Sequence, residues 1–265
     1  MEILLDIGNR RIKWAKGIDM PKLMSGKYTP AQQENLYHVI NFATGDAASE
    51  LERHFRAEPK PDSVWASCPG GSDAIPEIEK VCRVCWNIQP HFVAPADYES
   101  GIKNGYLDTR QLGVDRWLAM IAARHFIPDR PMLVIDAGTA ITIDFINSTG
   151  LFEGGMIIPG LMTIIESLNQ RAGLPSVDAD TTGKEHITLQ NRDTHSAIAN
   201  GALHTAVSAI ESAIAQYKKE FDNHLKIVIT GGDAALINRI SKYRITELPA
   251  LPLIGLFLVT RDHDC

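Results

Sequence analysis

Two stretches of this chain, ILLDIGNRRIKWA at residues 3–15 and LVIDAGTAITIDF at residues 133–145, follow one pattern. An apolar run leads to an Asp, any residue and a Gly, then a polar residue and an alternating apolar segment. The run reads as a buried strand, the Asp-x-Gly as a tight turn and the alternation as a returning strand. A chain that builds this unit once in each half is expected to consist of two related halves rather than a short-period repeat.

The rest of the order agrees with an α/β plan. Residues 46–58 are helical in pattern, 63–67 (SVWAS) a short strand, 74–85 a helix and 91–94 a strand. A helical stretch is also expected between the first strand pair and residue 46. Residues 95–110 lack periodicity and read as a surface loop. An amphipathic helix follows over 112–126, with Val114, Trp117, Leu118 and Ile121 on one face. FEGGMIIPG is a third strand of the second half, running into a helix that Gly173 and Pro175 close. A long helix over about 195–220 carries Ala197, Gly201, Ala202, Ala206 and Ala209, small residues that allow close packing, centrally or at a subunit interface. LKIVI is then a buried strand, Thr230-Gly231-Gly232 a tight turn and 233–241 a helix. The halves are read as 1–118 and 119–265.

Composition removes several function classes. With 45 % hydrophobic residues in a chain of 265, a sizeable core is available. The net charge of -6 lacks the clustered positive surface that nucleic acid demands. The start, MEILLD, meets a carboxylate before a signal-like apolar core forms, and the longest uncharged runs fall short of a membrane span. A cytoplasmic protein without nucleic-acid or membrane partners is expected. Cys82 and Cys85 form a C-x-x-C near Cys68, His91 and, at the far end, Cys265. Structural zinc uses two tight ligand couples and only one is present, so buried thiols near a helix end are the preferred reading.

Chemistry concentrates at the two turns. Glycine lets backbone N–H groups approach phosphate oxygens, and the adjacent carboxylate can hold a neutralising cation. One Asp-x-Gly is ordinary hairpin punctuation. Asp6-Ile7-Gly8-Asn9 and Asp136-Ala137-Gly138-Thr139, with a later Gly-Gly turn, point to an actin-like phosphotransferase. Neither G-x-x-x-x-G-K-[ST] nor G-x-G-x-x-G occurs, which argues against P-loop and Rossmann sites. Gly113-Val114-Asp115-Arg116 opens the amphipathic helix. An Asp there can be a dipole partner or the carboxylate that accepts a proton from an attacking hydroxyl, and the Arg offers a fork for an anion.

The stretches LDIGNRRIKWA, NGYLDTRQLGVDRW, VIDAGTAITID, GGMIIPG, THSAIANG and ITGG, in this order, resemble the type III pantothenate kinases of the acetate and sugar kinase/Hsp70/actin superfamily. The resemblance covers nearly the whole chain. It implies two ribonuclease H-like (actin-like ATPase) halves, each a mixed sheet flanked by helices, with a cleft between them. It implies ATP-dependent phosphorylation of pantothenate to 4'-phosphopantothenate, the first step of coenzyme A biosynthesis. By position, Asp6 to Lys13, with Gly8, Asn9 and Arg10, would form the first phosphate loop, Asp6 positioning Mg²⁺. Asp115 would be the catalytic base. Asp136 would bind a monovalent cation, K⁺ or NH₄⁺, and Thr139 would touch the ATP phosphates. Gly231 and Gly232 would line the adenosine side. Tyr106, Gly113, Val114, Asp115, Arg116 and Thr194 would bind pantothenate. A homodimer is implied as well. Arg10 stands where the family usually has Thr or Ser, as a charged donor or a solvent-facing group, and residues 190–193 lack a glycine common there. The alternatives are another actin-like small-molecule kinase and a non-catalytic accessory or regulatory relative.

Overall fold

The computed structural model describes residues 1–25, 36–41, 47–68, 74–175, 177, 187–221 and 224–263. Its strands in chain order are β1 (Glu2–Ile7), β2 (Arg11–Lys16), β3 (His38–Asn41), β4 (Ser63–Ser67), β5 (His91–Phe92), β6 (Tyr98–Glu99), β7 (Ile102–Lys103), β8 (Met132–Ala137), β9 (Ala140–Ile146), β10 (Phe152–Pro159), β11 (Lys226–Thr230) and β12 (Thr246–Glu247). The helices are α1 (Met20–Met24), α2 (Ala47–Arg56), α3 (Ala74–Trp86), α4 (Val114–Phe126), α5 (Leu161–Ala172), α6 (Thr194–Phe221), α7 (Ala234–Ile240) and α8 (Leu251–His263). Of the helical stretch expected after the first strand pair, α1 is the part within the described residues; Asp46 and Cys265 lie outside them.

The chain divides into two compact units, residues 1–126 with the C-terminal segment from Ala250, and Ile127–Pro249. The division read from the sequence at 118/119 falls inside α4, which belongs whole to the first unit. Its cause is the last helix, which returns to the first unit and packs along α4 and against β1 and β4. Gly255 makes that packing possible: a Cβ there would stand 2.0 Å from the Leu118 carbonyl oxygen, so a larger residue would force the helices apart.

The first unit holds a sheet in the order β3-β2-β1-β4-β5, the second one in the order β10-β9-β8-β11-β12. In each, the second strand of the hairpin is antiparallel to its neighbours and the other pairings run parallel. That is the ribonuclease H-like order, present twice, flanked by helices. The central strands explain themselves: Ile3, Leu4, Leu5 and Ile7, and Leu133, Val134 and Ile135, are buried on both sheet faces. Each such side chain contributes roughly 1.5–3 kcal/mol of burial. Trp14, Phe55 and Trp86 fill the core of the first unit, and Phe145 with Ile210 and Ile214 of α6 that of the second.

Three sequence readings are refined. The surface loop at 95–110 contains the β6–β7 hairpin, turned by Ser100 and Gly101 at positive φ, and a 3-10 turn at Thr109–Gln111. The amphipathic helix α4 is buried from Arg116 to Ala123, because α8 covers the side left for solvent. Cys82 is buried in the core on α3, where desolvation pushes its thiol up to about 12, and the half-buried Cys85 faces the Glu52 carbonyl at 3.8 Å.

Candidate active site

The β1–β2 hairpin closes through the Gly8 N–H, which donates to the Arg11 carbonyl at 2.9 Å. This leaves Gly8, Asn9 and Arg10 as the exposed and half-exposed tip beyond Asp6. Lys13 is the cross-strand partner of Asp6, so its side chain rises on the same sheet face. Ser67, across the parallel ladder on β4, donates from Oγ to Asp6 Oδ1 at 2.9 Å. Burial pushes the Asp6 carboxyl above its ordinary value, the Lys13 ammonium and the Ser67 hydroxyl pull it back, and the Asp115 carboxylate adds to the rise. Asp6 and Asp115, far apart in sequence, therefore share one electrostatic neighbourhood in the first unit.

Asp115 sits in the first turn of α4. Its Oδ1 accepts the Arg116 N–H at 2.8 Å and folds back over Gly113, where a Cβ would stand 2.6 Å from that oxygen. The Gly113 carbonyl accepts from the Trp117 N–H at 3.0 Å and starts the helix. Val114 is buried beneath it.

Arg116 is only 5 % exposed. Its Nη1 donates to the Tyr106 hydroxyl at 2.8 Å, and its guanidinium carbon lies 5.6 Å from the ring centroid. Tyr106 is held in turn by Asn104, a buried residue the sequence reading passed over. Asn104 Oδ1 accepts the Tyr106 N–H at 3.1 Å, and its Nδ2 donates to the carbonyls of Ala96 at 3.3 Å and Thr109 at 3.2 Å. The hairpin that begins this segment is anchored by the Trp117 indole, which donates to Glu99 at 3.1 Å. A buried Asn between two turns carries no periodic signal; only its place two residues before the Tyr could have marked it.

In the second unit the turn Asp136–Thr139 closes by the Gly138 N–H donating to the Ala140 carbonyl at 3.0 Å. Two other segments press against it. The Gly160 N–H and the Thr163 hydroxyl donate to the Thr139 carbonyl at 3.0 and 2.6 Å, and the Asp233 N–H donates to the Ala137 carbonyl at 3.0 Å. Gly231, at φ 102°, lies so close that a Cβ would stand 2.4 Å from the Ala137 oxygen. Asp136, Thr139, Gly231 and Gly232 thus form one cluster of backbone turns, with Gly232 exposed. Thr194 stands exposed in the first turn of α6, which the Asp193 carboxylate caps by accepting the Ser196 N–H at 2.8 Å. Among the described residues no hydrogen bond joins Thr194 to the Asp136 turn.

Both units carry an aspartate and glycines at a β-hairpin on the ribonuclease H-like order, and the first adds a carboxylate and a buried arginine at a helix start. This combination defines an actin-like phosphotransferase. A family model described as type III pantothenate kinase matches residues 2–216. The type III pantothenate kinase of Nitrosococcus oceani is 33 % identical over 99 % of this chain and 94 % of its own length. That of Herminiimonas arsenicoxydans is 32 % identical over 98 % of this chain and 97 % of its own. A crystal structure of a Baf family protein from Campylobacter jejuni, 20 % identical, covers 99 % of this chain and 98 % of its own with a TM-score of 0.53, a likeness of fold. The chain belongs to the type III pantothenate kinase family.

Proposed function

We propose that this protein transfers the terminal phosphate of ATP to the primary hydroxyl of pantothenate, giving 4'-phosphopantothenate and ADP, the first step toward coenzyme A. The observation that carries the reading is the first unit's arrangement: Asp115 within electrostatic reach of Asp6, next to an arginine whose fork is oriented by Tyr106.

Asp115 takes the role of base. As the hydroxyl oxygen bonds to the terminal phosphorus, the bond from that phosphorus to the bridging oxygen of ADP breaks, and the hydroxyl proton passes to the Asp115 carboxylate. Arg116 offers the pantothenate carboxylate paired charge-assisted hydrogen bonds. Tyr106 and the Gly113 to Arg116 segment are the pantothenate positions of the first unit, and Thr194 is that of the second. Gly8, Asn9, Arg10 and Lys13 are the ATP-phosphate positions of the first unit; in the second, Thr139 is a phosphate position and Gly231 and Gly232 are adenosine positions.

The donor chemistry suits cations, since carboxylates beside glycine turns are hard oxygen ligands. Bound magnesium, positioned by Asp6, and a monovalent cation at Asp136, K⁺ or NH₄⁺, would offset the phosphate charge. Among the described residues no helix is long and apolar enough to cross a membrane, which accords with a cytoplasmic enzyme. A homodimer fits the exposed apolar residues Met156 and Ile157 on the edge strand β10, together with the small-residue helix α6.

An ADP-release assay with pantothenate, with and without K⁺ or NH₄⁺, tests substrate, reaction and cation together. Pantothenate-dependent ADP release that rises with the cation is the expected result. Release that ignores pantothenate would remove the acceptor assignment.

A further inference from the structure

The two units place a buried hydroxyl at equivalent stations. In the parallel ladder of β1 and β4, Ser67 stands directly across from Asp6; in that of β8 and β11, Thr230 stands directly across from Asp136. Each is 1 % exposed. Paired residues of neighbouring strands point to the same sheet face, so each hydroxyl lies on its aspartate's side. The outcomes differ. Ser67 Oγ donates to Asp6 Oδ1 at 2.9 Å, whereas the Thr230 hydroxyl has no hydrogen-bond partner among the described residues. Register alone does not produce the bond, so the Ser67–Asp6 contact is a particular feature of the first unit.

We propose that Ser67 is a positioning residue for phosphoryl transfer, fixing the rotation of the Asp6 carboxylate so that Oδ2 is the oxygen left for the cation on the ATP phosphates. An aspartate's second torsion is broad and nearly two-fold, so burial of its stem does not choose which oxygen faces outward. A buried hydroxyl that cannot turn to solvent does choose. Its bond to a charged acceptor is stronger than a neutral one. Lys13, the neighbour across the antiparallel ladder, supplies charge to the same carboxylate but sits on a long flexible stem, and does not set its rotation. The inference rests on the reading of Asp6 as the magnesium-positioning carboxylate.

The test compares the wild type with Ser67→Ala, Ser67→Thr and Asp6→Asn. Turnover is measured against magnesium concentration, and ATP binding by calorimetry with magnesium and in EDTA. In Ser67→Ala the magnesium needed for half-maximal turnover rises about tenfold. The magnesium-dependent gain in ATP affinity shrinks by a like factor, while ATP binding in EDTA and the KM for pantothenate keep their wild-type values. Ser67→Thr, which retains the hydroxyl, restores the magnesium response. A Ser67→Ala enzyme with wild-type magnesium dependence overturns the proposal. So does one in which EDTA binding, pantothenate KM and thermal midpoint all worsen together, since that pattern belongs to a merely structural serine. If Asp6→Asn itself keeps the wild-type magnesium response, the reading of Asp6 falls and Ser67 falls with it. If Asp6→Asn is impaired and Ser67→Ala is not, Ser67 alone is excluded.

Discussion

The Tyr106 hydroxyl accepts a hydrogen bond from Nη1 of Arg116 at 2.8 Å, tying the end of the 95–110 segment to the first turn of α4. With Arg116 almost wholly buried, its guanidinium has few orientations, and Tyr106 selects among them. Tyr106→Phe removes the acceptor and keeps the ring. A lost hydrogen bond to a charged group is worth about 1.5–3 kcal/mol, so the KM for pantothenate is expected to rise by roughly tenfold or more. Turnover at saturation should change less, and the KM for ATP hardly at all. Steady-state kinetics with each substrate varied separately checks this; equal effects on both KM values would detach Tyr106 from the acceptor.

Asp115 offers a sharper separation of structure from chemistry. Its Oδ1 accepts a hydrogen bond from the Arg116 N–H in the first helical turn, and an asparagine oxygen can do the same. Asp115→Asn should therefore leave the thermal midpoint close to wild type while kcat falls about 10² to 10⁴. Calorimetry of ATP and pantothenate binding to the variant should still show both ligands bound. Near wild-type turnover would take Asp115 out of the mechanism.

Gly160 braces the second hairpin through its N–H bond to the Thr139 carbonyl. The backbone of Gly160 is at φ −72°, open to any residue, so substitution there tests space alone. A Cβ would stand 2.1 Å from the Gly138 carbonyl oxygen and 2.7 Å from that of Thr139, and backbone atoms cannot turn aside as a side-chain end can. Gly160→Ala is expected to displace the Asp136–Thr139 turn, cost about 1–3 kcal/mol of stability and raise the KM for ATP. Denaturant unfolding and ATP kinetics measure the two effects. A variant as stable and as active as wild type would show that Gly160 does not brace the turn.

Much of this was legible in the residues because the informative features are local. Apolar runs ending in Asp-x-Gly announce β1 and β8, and the spacing of Val114, Trp117 and Leu118 announces α4. What sequence could not disclose is set by register and by distant packing. SVWAS reads as a strand, yet only the parallel ladder puts Ser67 beside Asp6. Arg116 lies off the apolar stripe of its helix, yet it is buried with its guanidinium on Tyr106 of the preceding segment. The extent of the first unit turns on α8, which packs along α4 from more than a hundred residues later. The two-residue strands β5 and β12 are too short for alternation to mark their extent.

At the edge of the first sheet the rings of Trp14 and His38 stack 4.2 Å apart, and His54 of α2 stands 5.6 Å from His38. Desolvation lowers the His38 pKa from its ordinary 6.5, and His54 and Lys16 lower it further, while Glu58 and Asp19 oppose the shift. Well above pH 6.5 both folded and unfolded chains carry a neutral His38, and it adds no pH dependence. As pH falls through 6.5 the unfolded chain takes up the proton first, so stability is lost from there down to the depressed folded value and then levels. The thermal midpoint should accordingly drop between pH 7.5 and 5.5 more steeply in wild type than in His38→Gln, which cannot titrate. Parallel slopes for the two proteins would mean that His38 keeps its proton equilibrium on folding. The Trp14 stack would then be packing without electrostatic consequence.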